Sequence, residues 1–262
     1  MEWEEMTTYD LEEYAKKEDA VAIVPVGCLE AHGPHLPLGT DILAVEKIAL
    51  LAAEREEVVV LPPLPYAWTS VHTGYSGAIN MKAEVLLTFW GNIFDEIARN
   101  GCKKIILLNG HGGNKGILWV FIREFALKNK DYTIYYHNYF SSKEVDNLIT
   151  KLRMDSMEHA DEVETSIMLY LYPELCQMDK VPKTRIEKTK DFDVKPAIVG
   201  FEWATNWTKW HNATGAPYKA TAEKGEKLVE LFVKILIELI KKVKADDKVL
   251  DAKKKFHQDA SG

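Results

Sequence analysis

Apolar residues recur along this chain in two alternating patterns. Short, nearly continuous apolar runs are typical of strands that are buried on both faces. They occur at residues 20–26, in "EVVVLPP", in "KKIILLNG" and in "YTIYYHNY". Helical spacing predicts helices in "DLEEYAKKED", from near Asp41, in "KAEVLLTFWGNIFDEIARN" closed by Gly101, over residues 114–129, and from Tyr218 to about Lys244. The alternation predicts an α/β fold, a three-layer α/β/α sandwich with a mostly parallel central sheet.

Length and composition predict one folded domain. The chain has 262 residues, of which 47% are hydrophobic and 28% charged, as in an ordinary globular protein. We expect residues 1–245 to form a single domain and residues 246–262 to form a charged, flexible tail. The 33 basic and 40 acidic residues give a formal charge of -7, which argues against a nucleic-acid partner.

The sequence also favours a reduced, soluble protein. The acidic start "MEWEEMTTYDLEEY" lacks the features of a signal peptide, and charges interrupt the late apolar stretch "LFVKILIELIKKVK". We therefore expect a cytoplasmic protein with no membrane partner. Cys28, Cys102 and Cys176 are odd in number and far apart, so neither a disulfide framework nor a four-cysteine zinc site is expected.

The loop "GCLEAHGPHLPLGTD", residues 27–41, carries the first chemical motif, at the carboxyl end of a predicted strand. Its prolines exclude a regular helix, so Glu30 and His32 are presented two residues apart on the same side, an arrangement that suits two ligands of one metal. Asp41 taken alone reads as an acid at a helix start. Beside Glu30 and His32, the ligand interpretation becomes the stronger one.

The second motif is "LLNGHGGN", in which His111 follows a buried strand. Its glycines allow close approach of the backbone to a ligand, although the stretch is no recognised phosphate motif. A lone histidine here would more often be structural. Four candidate substrate contacts are His72, in a loop with Ser70 and Ser76, and the motif residues Gly112, Gly113 and Asn114.

The third motif is "MEHADEVETSIMLYLYP". Helical spacing places Glu164 on the apolar stripe, where an unpaired carboxylate costs several kcal/mol. Glu164 is therefore expected to be protonated, paired with Arg or Lys, or bound to a cation. Glu158 and His159 precede this helix, either as general acid–base groups or as its polar start.

Together, these motifs supply two imidazoles and three carboxylates, a donor set suited to Zn, Mn or Fe(II). Five ligands exceed the needs of one closed tetrahedral site. Two ions about 3.5 to 4 Å apart, bridged by a carboxylate and a water, would use them all. The expected ligands are Glu30, His32, Asp41, His111 and Glu164.

These motifs resemble those of the creatininase (creatinine amidohydrolase) family. The three stretches above and "TGAPYKATAEKGE", residues 214–226, occur in the family's order, and the resemblance runs from about residue 20 to 235. It implies a dinuclear metal centre bridged by Asp41, with Glu158 and His159 in proton transfer. It also implies a homo-oligomer, commonly a hexamer, and a small-molecule amide as the substrate.

The chain departs from creatininase itself in two places. Gly113 stands where creatininase has a metal-binding Glu, so Glu164 would have to serve as the metal ligand in its place. The stretch "RMDSM", residues 153–157, lacks the tryptophan that precedes the Glu-His pair there. These departures argue against creatinine as the substrate.

We therefore expect a metal-dependent amidohydrolase that cleaves a non-peptide or cyclic C–N amide bond with an activated water. One alternative is a deformylase acting on a pyrimidine nucleotide of flavin or deazaflavin synthesis, which predicts an anion held by the "HGGN" amides or Lys115. Another is a non-catalytic structural or sensor protein. Trp203, Trp207 and Trp210 stand at helical spacing and would wall a pocket or belong to the core or a subunit interface.

Overall fold

The computed structural model describes residues 1–155, 157–187 and 212–259. The strands are β1 (Val21–Val26), β2 (Val59–Val60), β3 (Lys104–Asn109) and β4 (Thr133–Asn138). The helices are α1 (Thr8–Ala15), α2 (Thr40–Ala53), α3 (Ala83–Arg99), α4 (Asn114–Ala126), α5 (Lys143–Lys151), α6 (Glu162–Leu171), α7 (Ala222–Lys244) and α8 (Val249–Asp259).

The four strands form one parallel sheet in the order β2-β1-β3-β4. Successive residues of a strand face opposite sides. Val21 and Ile23 therefore pack on one face, together with α2, α5, α6 and α7. Ala22 and Val24 pack on the other face, together with α1, α3 and α4. This arrangement confirms the predicted three-layer α/β/α fold.

The register of the sheet brings two loops together. Val26, the last residue of β1, pairs with Asn109, the last residue of β3. Both strands run in the same direction, so the loops that follow them leave from the same edge. The loop of residues 27–39 and the turn at residues 110–113 are therefore neighbours in space.

Three local features differ from the sequence expectation or lie beyond it. Strand β2 has only two residues, and α5 was not predicted, because only Val145 and Ile149 of that helix are buried. Within the predicted tail, α8 is a helix, and Lys253 Nζ lies 4.1 Å from the ring centroid of Phe125.

No described helix is long and apolar enough to cross a membrane. The three tryptophans of residues 203–210 lie outside the described residues.

Two helical glycines provide a matched test of the packing of α7 on α6. A Cβ on Gly225 would lie 1.9 Å from the backbone oxygen of Ser166, whereas a Cβ on Gly91 of α3 would meet nothing within 4 Å. We expect Gly225→Ala to lower the free energy of unfolding by about 3 kcal/mol or more. Gly91→Ala should raise it by about 0.5 to 1 kcal/mol. Urea titration measures both, and equal effects would contradict this packing.

Candidate metal centre

Five side chains that are distant in the sequence meet at the carboxyl edge of β1 and β3. Glu30 and His32 lie on the loop after β1, and His111 follows β3. Asp41 lies in the first turn of α2, and Glu164 lies in the first turn of α6. The structure thus brings together all five residues that the sequence predicts as metal ligands.

Asp41 lies between the two histidines and turns one carboxylate oxygen to each. Its Oδ1 is 3.1 Å from Nε2 of His32, and its Oδ2 is 2.8 Å from Nδ1 of His111. Glu30 Oε1 lies 3.3 Å from the same nitrogen of His111. Glu164 Oε2 lies 3.8 Å from Nε2 of His32. Asp41 is therefore shared by two groups of donors, Glu30 with His111 and Glu164 with His32.

Glycines allow the first turn of α2 to approach the strand ends this closely. A Cβ on Gly27 would lie 2.7 Å from Cα of Ile42. A Cβ on Gly110 would lie 2.6 Å from Cβ of Val45 and 2.9 Å from the backbone oxygen of Asp41. Any larger residue at position 27 or 110 would push α2, and with it the Asp41 carboxylate, away from the histidines.

The His32 ring is oriented by its own loop. Nδ1 lies 3.2 Å from the backbone carbonyl oxygen of Glu30. A carbonyl only accepts hydrogen bonds, so Nδ1 donates and Nε2 is the nitrogen that faces Asp41. A ring nitrogen held by a backbone carbonyl, with the other nitrogen directed at acids, is typical of metal-ligating histidines.

Glu164 occupies a less buried position than its place on the apolar stripe suggested. Its side chain is 20% exposed, and its Oε2 accepts a hydrogen bond from the backbone N–H of Ala160 at 2.6 Å. The fully buried carboxylate of α6 is Glu162, which forms an ion pair with Lys224 at 2.5 Å. The buried pair with a lysine that the sequence analysis considered for Glu164 is therefore formed by Glu162 instead. Glu164 is directed at His32.

Mutual attraction stabilises the charged forms of this cluster in the metal-free protein. Burial alone would lower the pKa of both histidines, but Asp41 raises the pKa of His32 to about 10. Glu30 and then Asp41 raise the pKa of His111 to about 9. Burial opposes ionisation of Glu30 and Asp41. The charge of His111 nevertheless holds the pKa of Glu30 below its usual value, and the charge of His32 does the same for the pKa of Asp41. Burial raises the pKa of Glu164 to about 8.

The expected proton-transfer residues adjoin the cluster. His159 Nε2 lies 2.7 Å from the carbonyl oxygen of Ala31 and therefore carries the proton, which leaves Nδ1 facing Glu30 Oε1 at 3.7 Å. Burial, assisted by the charge of His32, lowers the pKa of His159 to about 3. Glu158 lines the adjoining cavity.

A cavity of about 1200 Å³, bounded by described residues, opens from the cluster. Its walls include His72, Gly112, Gly113, Lys115 and Glu158, together with the apolar side chains Phe140, Ile149, Met154 and Met157. The substrate-contacting role expected for three of the four candidates, namely His72, Gly112 and Gly113, is compatible with this lining.

Asn114 does not lie on the cavity wall, contrary to the sequence expectation. Its side chain is fully buried. Its amide donates to the carbonyl of Gly27 and to Asn109 Oδ1, and its Oδ1 accepts from the backbone N–H of Trp68. Asn114 therefore joins three loops around the site, because it faces inward at the start of α4.

The residues present fit a divalent cation. Glu30 Oε1 is buried and accepts no hydrogen bond from the described residues, which leaves it available to a cation. Donor atoms of Glu30, His32 and Asp41 lie within 4.8 Å of one another, as do those of His32, His159 and Glu164. Carboxylates with imidazoles form a donor set that suits Zn, Mn or Fe(II).

Sequence reasoning missed two residues that contact Glu30. The Thr69 hydroxyl donates a hydrogen bond to Glu30 Oε2, and the Cys28 thiol lies 3.5 Å from the same oxygen. Cys28 stands two residues before Glu30, so extended spacing could have placed both on one side. Thr69 carries no such signal, since it lies 39 residues away.

Comparison with known proteins identifies the class to which this fold and site belong. The model of the creatininase family, described as creatinine amidohydrolase, matches residues 4–240. The chain therefore belongs to the creatininase family of amidohydrolases.

Two curated relatives illustrate the range of this family. The chain is 27% identical over 256 residues to a creatinine amidohydrolase of Pseudomonas putida, covering 90% of this chain and 95% of the relative. It is 32% identical over 180 residues to a 3-dehydro-scyllo-inosose hydrolase of Thermotoga maritima, covering 66% of this chain and 57% of the relative. Related sequences thus act on different substrates.

Solved creatininases share the fold and contain metals. The structure named creatininase Mn matches with a TM-score of 0.80 and 26% identity over 94% of this chain and 99% of that chain. A mutant creatininase of the Zn-Zn type matches with a TM-score of 0.80 and 25% identity, covering 94% and 98%.

The raised histidine pKa values predict that metal binding releases protons. Below about pH 9, His32 and His111 are protonated in the metal-free protein, and each has to lose a proton before it binds a cation. Affinity for Mn²⁺ or Zn²⁺ should therefore rise with pH between about 6 and 9. Glu164, whose pKa is raised to about 8, is a third such group, so calorimetric titration near pH 7, in buffers of different ionisation enthalpy, should give about one to three protons released per protein. Binding without proton release would contradict the assigned protonation states.

Proposed function

We propose that this protein is a metal-dependent amidohydrolase that cleaves a non-peptide or cyclic C–N amide bond of a small molecule, using two divalent cations. The sharing of Asp41 by two histidines carries the proposal. A carboxylate with one oxygen directed at each of two donor groups is what a bridging ligand requires. Glu30 and His111 would hold one ion, and His32 and Glu164 would hold the other.

The bound cations would polarise the amide carbonyl and lower the pKa of a bound water from 15.7 to about 7, which provides a nucleophile without a serine or cysteine. His159 would accept a proton at Nδ1, because its Nε2 is held by the carbonyl of Ala31. That proton would pass to the leaving nitrogen, either directly from His159 or through Glu158 on the cavity wall. The apolar wall of the cavity would exclude water from the reacting bond.

Two features bear on the substrate. The cavity of about 1200 Å³ exceeds the roughly 300 to 1000 Å³ of common ligand pockets, so it leaves room for more than a single small ring. Gly113 borders the His111 ring, where a Cβ would lie 2.4 Å from Nε2, so a metal-binding Glu at this position would displace the ring. Both features support a substrate other than creatinine.

Lys115 favours a second candidate, the formamide deformylase of a pyrimidine nucleotide. It lies on the cavity wall with Nζ 5.0 Å from the Phe140 ring centroid, and a lysine there would attract a substrate phosphate. Lys115→Ala should then raise KM about tenfold or more for a phosphorylated formamide and leave KM for its dephosphorylated form unchanged. Equal effects on both forms would count against phosphate recognition.

Removal and return of metal tests the catalytic proposal. Dialysis against a chelator should abolish hydrolysis of a panel of formamides and cyclic amides, and Zn²⁺, Mn²⁺ or Fe²⁺ should restore it. Glu164→Gln should lower the metal content, measured by atomic emission, because Gln is a neutral and weaker ligand. Glu174→Gln, at an exposed position, is the matched control. A metal-replete protein that hydrolyses none of the panel would favour the structural or sensor reading.

His159→Asn separates proton transfer from metal binding. We expect kcat to fall about 10²- to 10⁴-fold with the metal content retained, since the base at Nδ1 is lost. His137→Asn, on β4 and outside the five-residue cluster, controls for loss of a histidine. If His159→Asn instead loses its metal, His159 is a metal ligand. We further propose that the enzyme is a homo-oligomer, as the family resemblance implies, and that it is cytoplasmic, as expected from its sequence.

A further inference from the structure

The two oxygens of Glu30 have different surroundings. Oε2 accepts the hydroxyl hydrogen bond of Thr69, lies 3.5 Å from the Cys28 sulfur, and has Nε2 of His72 3.7 Å away. Oε1 faces Nδ1 of His111 at 3.3 Å and Nδ1 of His159 at 3.7 Å, with no hydrogen-bond partner among the described residues. Oε2 is thus the oxygen that accepts a hydrogen bond, and Oε1 is the oxygen that accepts none from the described residues and lies nearest to His111.

Thr69 is itself held in place. Only 1% of it is exposed, and its backbone N–H donates to Asn80 Oδ1 at 3.0 Å. The preceding Trp68 N–H donates to Asn114 Oδ1 at 3.2 Å. The hydroxyl therefore approaches Glu30 from a fixed backbone, and its direction does not depend on a mobile side chain.

We propose that Thr69, assisted by the Cys28 thiol, is a positioning residue that makes Glu30 a ligand through Oε1 alone. A hydrogen bond to Oε2 uses lone-pair directions that a cation would otherwise occupy, and it fixes the rotation of the carboxylate. The inference rests on the proposed metal centre and adds to it the residue that determines how Glu30 binds.

Cys28 has a second possible relation to the metal. Donor atoms of Cys28, Glu30 and His111 lie within 4.8 Å of one another, so the sulfur is near enough to be considered as a ligand. The contact with Glu30 Oε2 favours the donor role, because that oxygen also receives the Thr69 bond, whereas the other oxygen, Oε1, is the one 3.3 Å from His111. A spectroscopic test distinguishes the two roles.

The affinity for metal tests Thr69 directly. Thr69→Val removes the hydroxyl and preserves the shape, and we expect the dissociation constant for Mn²⁺, measured by competition with a chelator, to rise about 10- to 100-fold. Thr69→Ser retains the hydroxyl and should stay within about threefold of the parent protein. Thr73→Val is the matched control, because its hydroxyl donates only to the Ser70 carbonyl, at 2.9 Å. Equal affinities of Thr69→Val and Thr73→Val would overturn the inference.

Cobalt spectroscopy distinguishes an effect of Thr69 on metal coordination from a purely structural role, which would leave the spectrum unchanged. In the Co²⁺-loaded protein, Thr69→Val should change the visible ligand-field bands, since Glu30 becomes free to bind through both oxygens, whereas Thr69→Ser and Thr73→Val should not. A thiolate-to-cobalt charge-transfer band that disappears in Cys28→Ser would show that Cys28 is a ligand and overturn its donor role. Parent protein that binds no divalent cation would overturn the metal centre itself, whereas tight binding unaffected by Thr69→Val would overturn the positioning role alone.

Discussion

The arrangement of this site depends on the Asp41 carboxylate, which lies between His32 and His111 at distances of 3.1 and 2.8 Å. That position requires the first turn of α2 to touch the ends of β1 and β3, which Gly27 and Gly110 permit. Parallel strands bring the two histidine loops to the same edge, and α2 supplies the acid between them. Fold and site are therefore linked through one close contact between backbones.

The electrostatics of the cluster follow from the same contact. In the metal-free protein, the carboxylates of Glu30 and Asp41 are balanced by protonated His32 and His111, whose pKa values are about 10 and about 9. Such a buried cluster of acids and imidazoles is costly unless its charges are compensated. Cations that replace the protons would supply the same compensation together with the chemistry of a hydrolase. Protons and metal ions thus compete for one set of atoms.

Much of the fold and part of the site could be predicted from the sequence. Apolar runs and helical spacing located the long elements, because burial on both faces leaves a strong pattern. Glu30, His32 and Asp41 lie close together in the sequence, on one loop and the helix turn that follows it, so their proximity is a local property. Strand β2 was predicted but is shorter than its apolar run, and helix α5 was not predicted, since only two of its residues are buried.

Long-range partners could not be predicted in the same way. Helical spacing identified Glu164, but the neighbouring Glu162 proved to be the fully buried acid, because Lys224 of α7 compensates its charge. The contact of Thr69 with Glu30 likewise depends on how a distant loop folds back. Asn114 belongs to the "LLNGHGGN" motif, yet its side-chain amide forms hydrogen bonds that join neighbouring loops.

Anomalous diffraction from crystals of the metal-replete protein tests the central claim most directly. The account predicts two peaks about 3.5 to 4 Å apart, one on each side of the Asp41 carboxylate. One peak lies against Glu30 and His111, and the other lies against His32 and Glu164. A single peak, or peaks that do not share Asp41, would contradict the dinuclear centre on which the proposed hydrolysis depends.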